Sequence, residues 1–201
     1  VRHFDGLWTF QRDTEASSLA EFAISLPLLI VLVVGIFDFG GAFNQKQQLS
    51  NAMREAARFG ASEATNDLCL GCAPVPSVDA IRSLVDSYLV AARLNDCGLG
   101  GAAGTATSGK LTWTYTASGN GCPSPGLTLT IIRGFPDCGL QATNYGGAGG
   151  NPIASLQIPC TGVAISYPYQ WHFNSVIQLL VPGANLALTQ IAASATAANM
   201  N

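Results

Sequence analysis

Read as a string of apolar and polar positions, the chain changes its period along its length. From Phe22 to Phe37, 16 residues pass without a charged side chain, and after Asp38 the apolar run continues to Phe43. The whole run spans ~33 Å at ~1.5 Å per helical residue. A hydrocarbon layer is ~30 Å thick, so the run is long enough to cross one. The next stretch is amphipathic. Leu49, Ala52, Met53, Ala56 and Gly60 recur at i, i+3, i+4, i+7 and i+11, which is one helical face. Lys46, Arg54, Glu55 and Arg58 fall on or near the other. The pattern predicts one helix over 18–64, apolar first and amphipathic second. A membrane anchor would need only the first half. The apolar core of a signal peptide would be shorter and would end at a small-residue cleavage site, whereas this helix runs straight on.

A second helix is predicted over 78–94. Ile81, Leu84, Val85 and Tyr88 lie on one face, Pro76 and Ser77 stand at its start, and Ser77 is the expected cap. Residues 95–109 read as a Gly-rich loop, after which the period becomes two. The segments 111–117 ("LTWTYTA") and 127–133 ("LTLTIIR") alternate large apolar residues with Thr, and 118–126 reads as their hairpin connection. A Gly-rich loop over 139–151, a third strand over 163–171, a short helix over 174–181 and a closing strand over 185–198 complete the pass. Helices first and antiparallel strands later predict an α+β protein, a sheet-bearing head on a helical stem. The expected organisation is an arm or leader over 1–17, the long helix over 18–64 and a head over 65–201.

Composition sharpens this picture in two places. Only 10% of residues are charged and the net charge is −3, so no nucleic-acid partner and no anionic membrane surface is implied. The six cysteines, Cys69, Cys72, Cys97, Cys122, Cys138 and Cys160, all follow the apolar run. An even number confined to one side of a membrane segment reads as disulfides formed in an oxidising compartment, with the pairing left open.

Candidate chemistry is sparse. Cys69 and Cys72 form a CxxC, but the motif lies in a Gly- and Pro-containing loop between two helices. A thioredoxin-like site wants a strand before it and a helix after it, and a zinc site wants a second close pair. A structural disulfide is the better reading. His3 and His172 are the only histidines, and neither sits in a nucleophile–base pattern. The Gly-rich stretches lack phosphate-cradle spacing. No catalytic residue, metal ligand or cofactor is expected, and the chain does not read as an enzyme. What stands out is two carboxylates, Glu21 and Asp38, at the ends of the apolar run. A carboxylate near a membrane core is costly, so each is expected to mark a boundary or to find a partner.

"SSLAEFAISLPLLIVLVVGIFDFGGAFNQKQQLSNAMREAARFGAS" (17–62) resembles the N-terminal half of TadE-like proteins, pilin-related components of tight-adherence pili. The features that carry the resemblance are Glu21 followed by Phe22 and Ala23, then "LPLL" (26–29), "GIFDFG" (35–40) and "QQLSNAMREAARFGA" (47–61). The closing segments "VAISYPYQW" and "LALTQIAASATAANM" resemble the family's last strands. The resemblance implies a pilin-like fold and a structural subunit. Such a subunit sits in the inner membrane, then enters an extracellular helical filament of its own copies, with other pilins among its possible neighbours. An inner-membrane assembly ATPase and platform proteins would be its partners. It also implies assembly contacts through Glu21, Phe22, Pro27, Leu28, Leu29, Ile30, Val31, Leu32, Val33, Val34, Ile36, Phe37 and Asp38. The aligned processing position is Ala16–Ser17, where family members usually carry Gly, and retention of residues 1–16 is expected. A minor subunit that primes or caps assembly, and a monomeric anchored binding module, are the alternatives.

Overall fold

The computed structural model describes residues 14–134, 141–142, 156–157, 159–171, 178, 183 and 189–199. The chain divides into two units, residues 1–39 with 172–185, and residues 40–171 with 186–201. Helix α1 runs over Thr14–Ser62 and α2 over Pro76–Ala91. A 3₁₀ turn follows at Leu99–Gly101. The strands are β1 (Gly104–Ala106), β2 (Thr112–Ala117), β3 (Leu127–Arg133), β4 (Gln141–Ala142), β5 (Leu156–Gln157), β6 (Cys160–Tyr169) and β7 (Thr189–Ala198). One sheet has the order β1-β2-β3-β6-β7, antiparallel throughout, and β4 pairs with β5 in a small second sheet. The α+β class expected from the sequence is the one observed.

The larger unit is built around a single core. Because side chains alternate across a strand, every second residue of β2, β3 and β6 turns to the same face. Trp113 stands opposite Ile131, and Ile131 opposite Val163. Tyr115, Leu129, Ile165 and Ala193 form the next row across four strands. On this face lie Leu49, Met53, Ala56 and Ala57 of α1 and Val78, Ile81, Val85 and Leu89 of α2, all in one buried cluster. The amphipathic face predicted for α1 is therefore the buried one. Lys46, Arg54, Glu55 and Arg58 are exposed. The opposite face of the sheet carries Thr114, Thr130 and Ser194 in register, which accounts for the Thr alternation.

Close approach at Gly60 brings three elements together. A β-carbon there would lie 2.6 Å from Cγ2 of Thr161 on β6 and 2.7 Å from Cδ1 of Ile81 on α2. The end of α1 is fixed by a residue far along the chain. The last carbonyls of a helix have no partner within it, and α1 has no basic residue in its last turn. Arg133, at the end of β3 and fully buried, supplies the donors. Its Nη2 donates to the carbonyls of Gly60 (2.8 Å) and Glu63 (3.0 Å), and its Nη1 to that of Ala64 (3.2 Å). Burial pushes the guanidinium pKa down, opposed by the charges of Asp67 and Glu63. The side chain keeps its proton all the same.

Several departures from the sequence reading have local causes. The residue before α2 is Val75, in an extended conformation, so Ser77 lies inside the helix and is not its cap. The cap comes from the preceding loop, where Asp67 accepts from the Ser77 N–H (2.8 Å) and hydroxyl (3.0 Å). Helix α2 also stops three residues before the predicted end, at Ala91, and Arg93, two residues beyond it, has a positive φ of 57°. Strand β1 falls in the stretch expected to be a loop and pairs Ala106 with Trp113. Strand β6 starts at Cys160, three residues early. The helix expected over 174–181 lies outside the described residues except at Gln178.

Disulfides join Cys69 to Cys72 and Cys97 to Cys122. Cys160 is disulfide-bonded as well, and Cys138 lies outside the described residues. The second bridge ties the loop after α2 to the β2–β3 connection, where Gly119 also donates to the Cys97 carbonyl at 2.8 Å. Close by, Tyr167 donates to the Asn95 carbonyl at 2.9 Å.

Two predictions test this account. Arg133→Met removes the side-chain donors to the Glu63 and Ala64 carbonyls, leaves that of Gly60 only the Glu63 N–H, and should cost about 3 kcal/mol or more in denaturant unfolding of the full chain. Arg133→Lys should recover only part, because one ammonium cannot reproduce the planar fork. The second prediction concerns Asp86, whose pKa is raised by burial and then by the neighbouring Asp96, against the Gly100 N–H and Arg82. A raised folded-state pKa gives stability that is present below the unfolded value and lost as pH rises through the folded one. Asp86→Asn should therefore raise the melting temperature at pH ~7, and the gain should vanish below the ordinary Asp pKa of ~3.9.

Candidate assembly and membrane surface

The apolar run of α1 is laid bare along its length. Leu19, Phe22, Ile24, Leu28, Leu29, Ile36, Phe37, Phe39 and Phe43 are each more than half exposed, up to 79% at Ile24. Leu32 is also more than half exposed, Ile30 and Val33 somewhat less, and Val31 and Val34 are partly covered. The most hydropathic window of the helix has a mean hydropathy of 2.5, and none of it is buried. Large apolar side chains contribute ~1.5–3 kcal/mol each when they leave water. A surface of this size, free of charge over 16 residues, is long and apolar enough to cross a membrane.

The helix holds its geometry through Pro27, which lies inside it. Proline has no N–H, so the Ala23 carbonyl loses its helical donor. Two residues earlier, the Ser25 hydroxyl donates to the Phe22 carbonyl at 3.2 Å, adding a bond just ahead of the break. The two carboxylates differ. Glu21 is exposed, whereas Asp38 is 6% exposed and engaged by the protein, between exposed Phe37 and Phe39. Ala16 and Ser17 fall within α1, and their side chains lie outside the described residues.

What this arrangement offers is an apolar surface. Among the described residues no group of His, Cys, Asp or Glu side chains is placed to hold a metal ion. Both histidines lie outside the described residues. The polar groups that do converge tie elements together. The Tyr115 hydroxyl donates to Asp79 (3.0 Å), and burial, then Asp79 itself, pushes its pKa up. Arg82 pairs with Asp79 (3.4 Å), donates to the Leu99 carbonyl (2.9 Å) and lies over the Tyr115 ring. Sequence reasoning missed Arg133, the residue that ends α1. The available signal was a long helix with no cation or Gly cap of its own.

Residues 16–58 match the TadE-like protein family. That stretch of α1 is similar to TadE-like proteins. The match covers the apolar run and most of the amphipathic half of α1, while the strands that also resembled the family lie outside it. No curated protein and no solved structure matches the chain. The likeness is to a family of Tad pilus-associated proteins, and it extends over residues 16–58 alone.

The exposed window makes a direct prediction. The full chain should stay in the membrane pellet after alkaline carbonate extraction. Replacing Ile30 and Leu32 together by Glu should release most of it, since each charge at a helix centre costs ~2.5–3.5 kcal/mol of insertion.

Proposed function

We propose that the chain is a structural subunit of a Tad-type, pilus-like extracellular filament, self-assembling through the apolar half of α1. The observation that carries this reading is the unburied apolar run, continuous by sequence with an amphipathic half that packs beneath the sheet. Such a stem suits two apolar surroundings in turn, lipid first and neighbouring stems afterwards. The proposed contacts are Phe22, Leu28, Leu29, Ile30, Val31, Leu32, Val33, Val34, Ile36 and Phe37, with Pro27 shaping the rod. Glu21, exposed at the start of the run, would pair with a cation or amino group of a neighbour. That pairing would make subunits leave lipid for the filament, because an unpaired carboxylate is costly in hydrocarbon. Asp38 would mark the far end of the run. The inner-membrane assembly machinery and copies of the chain are the proposed partners, with the disulfide-bonded head outside the cytoplasm. The arm or leader over 1–17 stays with this proposal, aligned with a processing position at Ala16–Ser17 but retained in the subunit.

Filaments sheared from producing cells test the proposal by imaging and intact subunit mass. A uniform filament whose dominant subunit has this mass is the expected result. Recovery only as a trace component would point to a minor subunit, and recovery only in membranes to a monomeric anchored module. Glu21→Lys should abolish filaments and leave membrane insertion unchanged. Filaments of normal number and length in that variant would remove Glu21 from assembly.

A further inference from the structure

The disulfides of the head differ sharply in access. Cys97 is 1% exposed, its partner Cys122 is partly buried, and Cys160 is fully buried. Cys69 is exposed, and its partner Cys72 is half-buried. Between them Leu70 is 66% exposed, and Gly71 adopts a φ of +76° with no atom near the place of a β-carbon. Most residues reach that conformation only with strain, so the glycine lets the chain turn back within four residues.

The same loop is anchored on both sides without the bridge. On one side the Ala64 carbonyl is held by Arg133, Asp67 is held by Ser77, and Leu68 packs against the core. On the other, the buried Trp113 indole N–H donates to the Cys72 carbonyl at 2.7 Å, and Val75 is 1% exposed. The CxxC is thus a short exposed excursion between fixed points. Breaking its sulfur–sulfur bond leaves those points in place, and both thiols stay within reach of each other.

We propose that Cys69–Cys72 is a thiol–disulfide exchange site, opened and closed by an external dithiol while the Cys97–Cys122 bridge stays oxidised. A thiolate of the dithiol attacks the exposed Cys69 sulfur. The bond to Cys72 breaks, and Cys72 leaves as a thiolate that takes up a proton. The dithiol's second thiolate then attacks its own sulfur in the mixed disulfide and releases Cys69. Two electrons pass to the protein, and the dithiol ends as a cyclic disulfide. Access to the attacked sulfur governs this reaction; Cys69 is the one exposed residue of the two bridges, whereas Cys97 is buried and Cys122 partly buried. Ring size points the same way. The bridges span sequence separations of 3 and 25. Closing the shorter loop restricts the unfolded chain less, so opening it removes less stability.

The test uses the full oxidised chain in detergent, treated with graded dithiothreitol, quenched with N-ethylmaleimide and mapped by peptide mass. Cys69 and Cys72 should be labelled together, at least about tenfold faster than Cys97 and Cys122. Equal rates, or Cys97 and Cys122 first, would overturn the proposal. Oxidised dithiothreitol should restore the Cys69–Cys72 pair, and scrambled pairs would count against the anchored loop. A Cys69→Ser, Cys72→Ser double variant should melt within about 2 °C of the parent. Its unfolding would show that the bridge holds the head together and is not an exchange site.

Discussion

One buried guanidinium fixes how the helical and sheet parts of the larger unit join. Arg133 reaches from the last residue of β3 to three carbonyls at the end of α1, across more than 60 positions of sequence. A charge in that place is costly unless every donor is used, and four of its five donor hydrogens lie on the two nitrogens that bond those carbonyls. Only Nε lacks a partner there. The helix end also gains a positive charge at its negative pole, which its own last turn does not provide. With this end set, Gly60 can pack against β6 and α2 together, and the loop to α2 leaves from a fixed point.

The remaining polar contacts extend that constraint outward. Asp67 caps α2 from the loop that Arg133 anchors, and Trp113 ties the same loop to β2. Tyr115 then fastens the first turn of α2 to β2 through Asp79, and Arg82 carries the connection to the Leu99–Gly101 turn. Each of these is a hydrogen bond made by a group that burial would otherwise leave costly. The result is a head whose order comes from its own core and cross-links. The apolar run of α1 contributes no buried window to it.

What the sequence made legible follows from which signals are local. The period-two segments became β2 and β3 with the alternation predicted, because a half-buried sheet imposes it residue by residue. The amphipathic face of α1 was equally plain, since Leu49, Met53 and Ala56 need only helical spacing to line up. Strand β1 was not legible: "GTA" has no apolar alternation, and its pairing to β2 is set by the chain around it. Ser77 was misread as a cap because a Ser near a helix start carries that signal, whereas Asp67 caps from ten positions away. Arg133 looked like the polar end of a strand, and its role depends on where the far end of another element lies. The residues proposed for assembly stand in between. Their exposure is visible, but the proposed contacts belong to surfaces outside a single chain.

The distribution of charge explains why one chain can hold both kinds of surface. Charged side chains are rare overall, yet Lys46, Arg54, Glu55 and Arg58 crowd the exposed side of α1 soon after Phe43. Charges at that point resist being drawn into hydrocarbon, so the apolar run has a defined end. On the other side of the same turns, Leu49 to Gly60 are committed to the head. Sliding the helix further into an apolar environment would therefore both desolvate cations and pull Met53 and Ala56 from the core. The boundary between what the head buries and what a membrane or neighbour can cover is thus enforced twice on one helix, by charge outside and by packing inside.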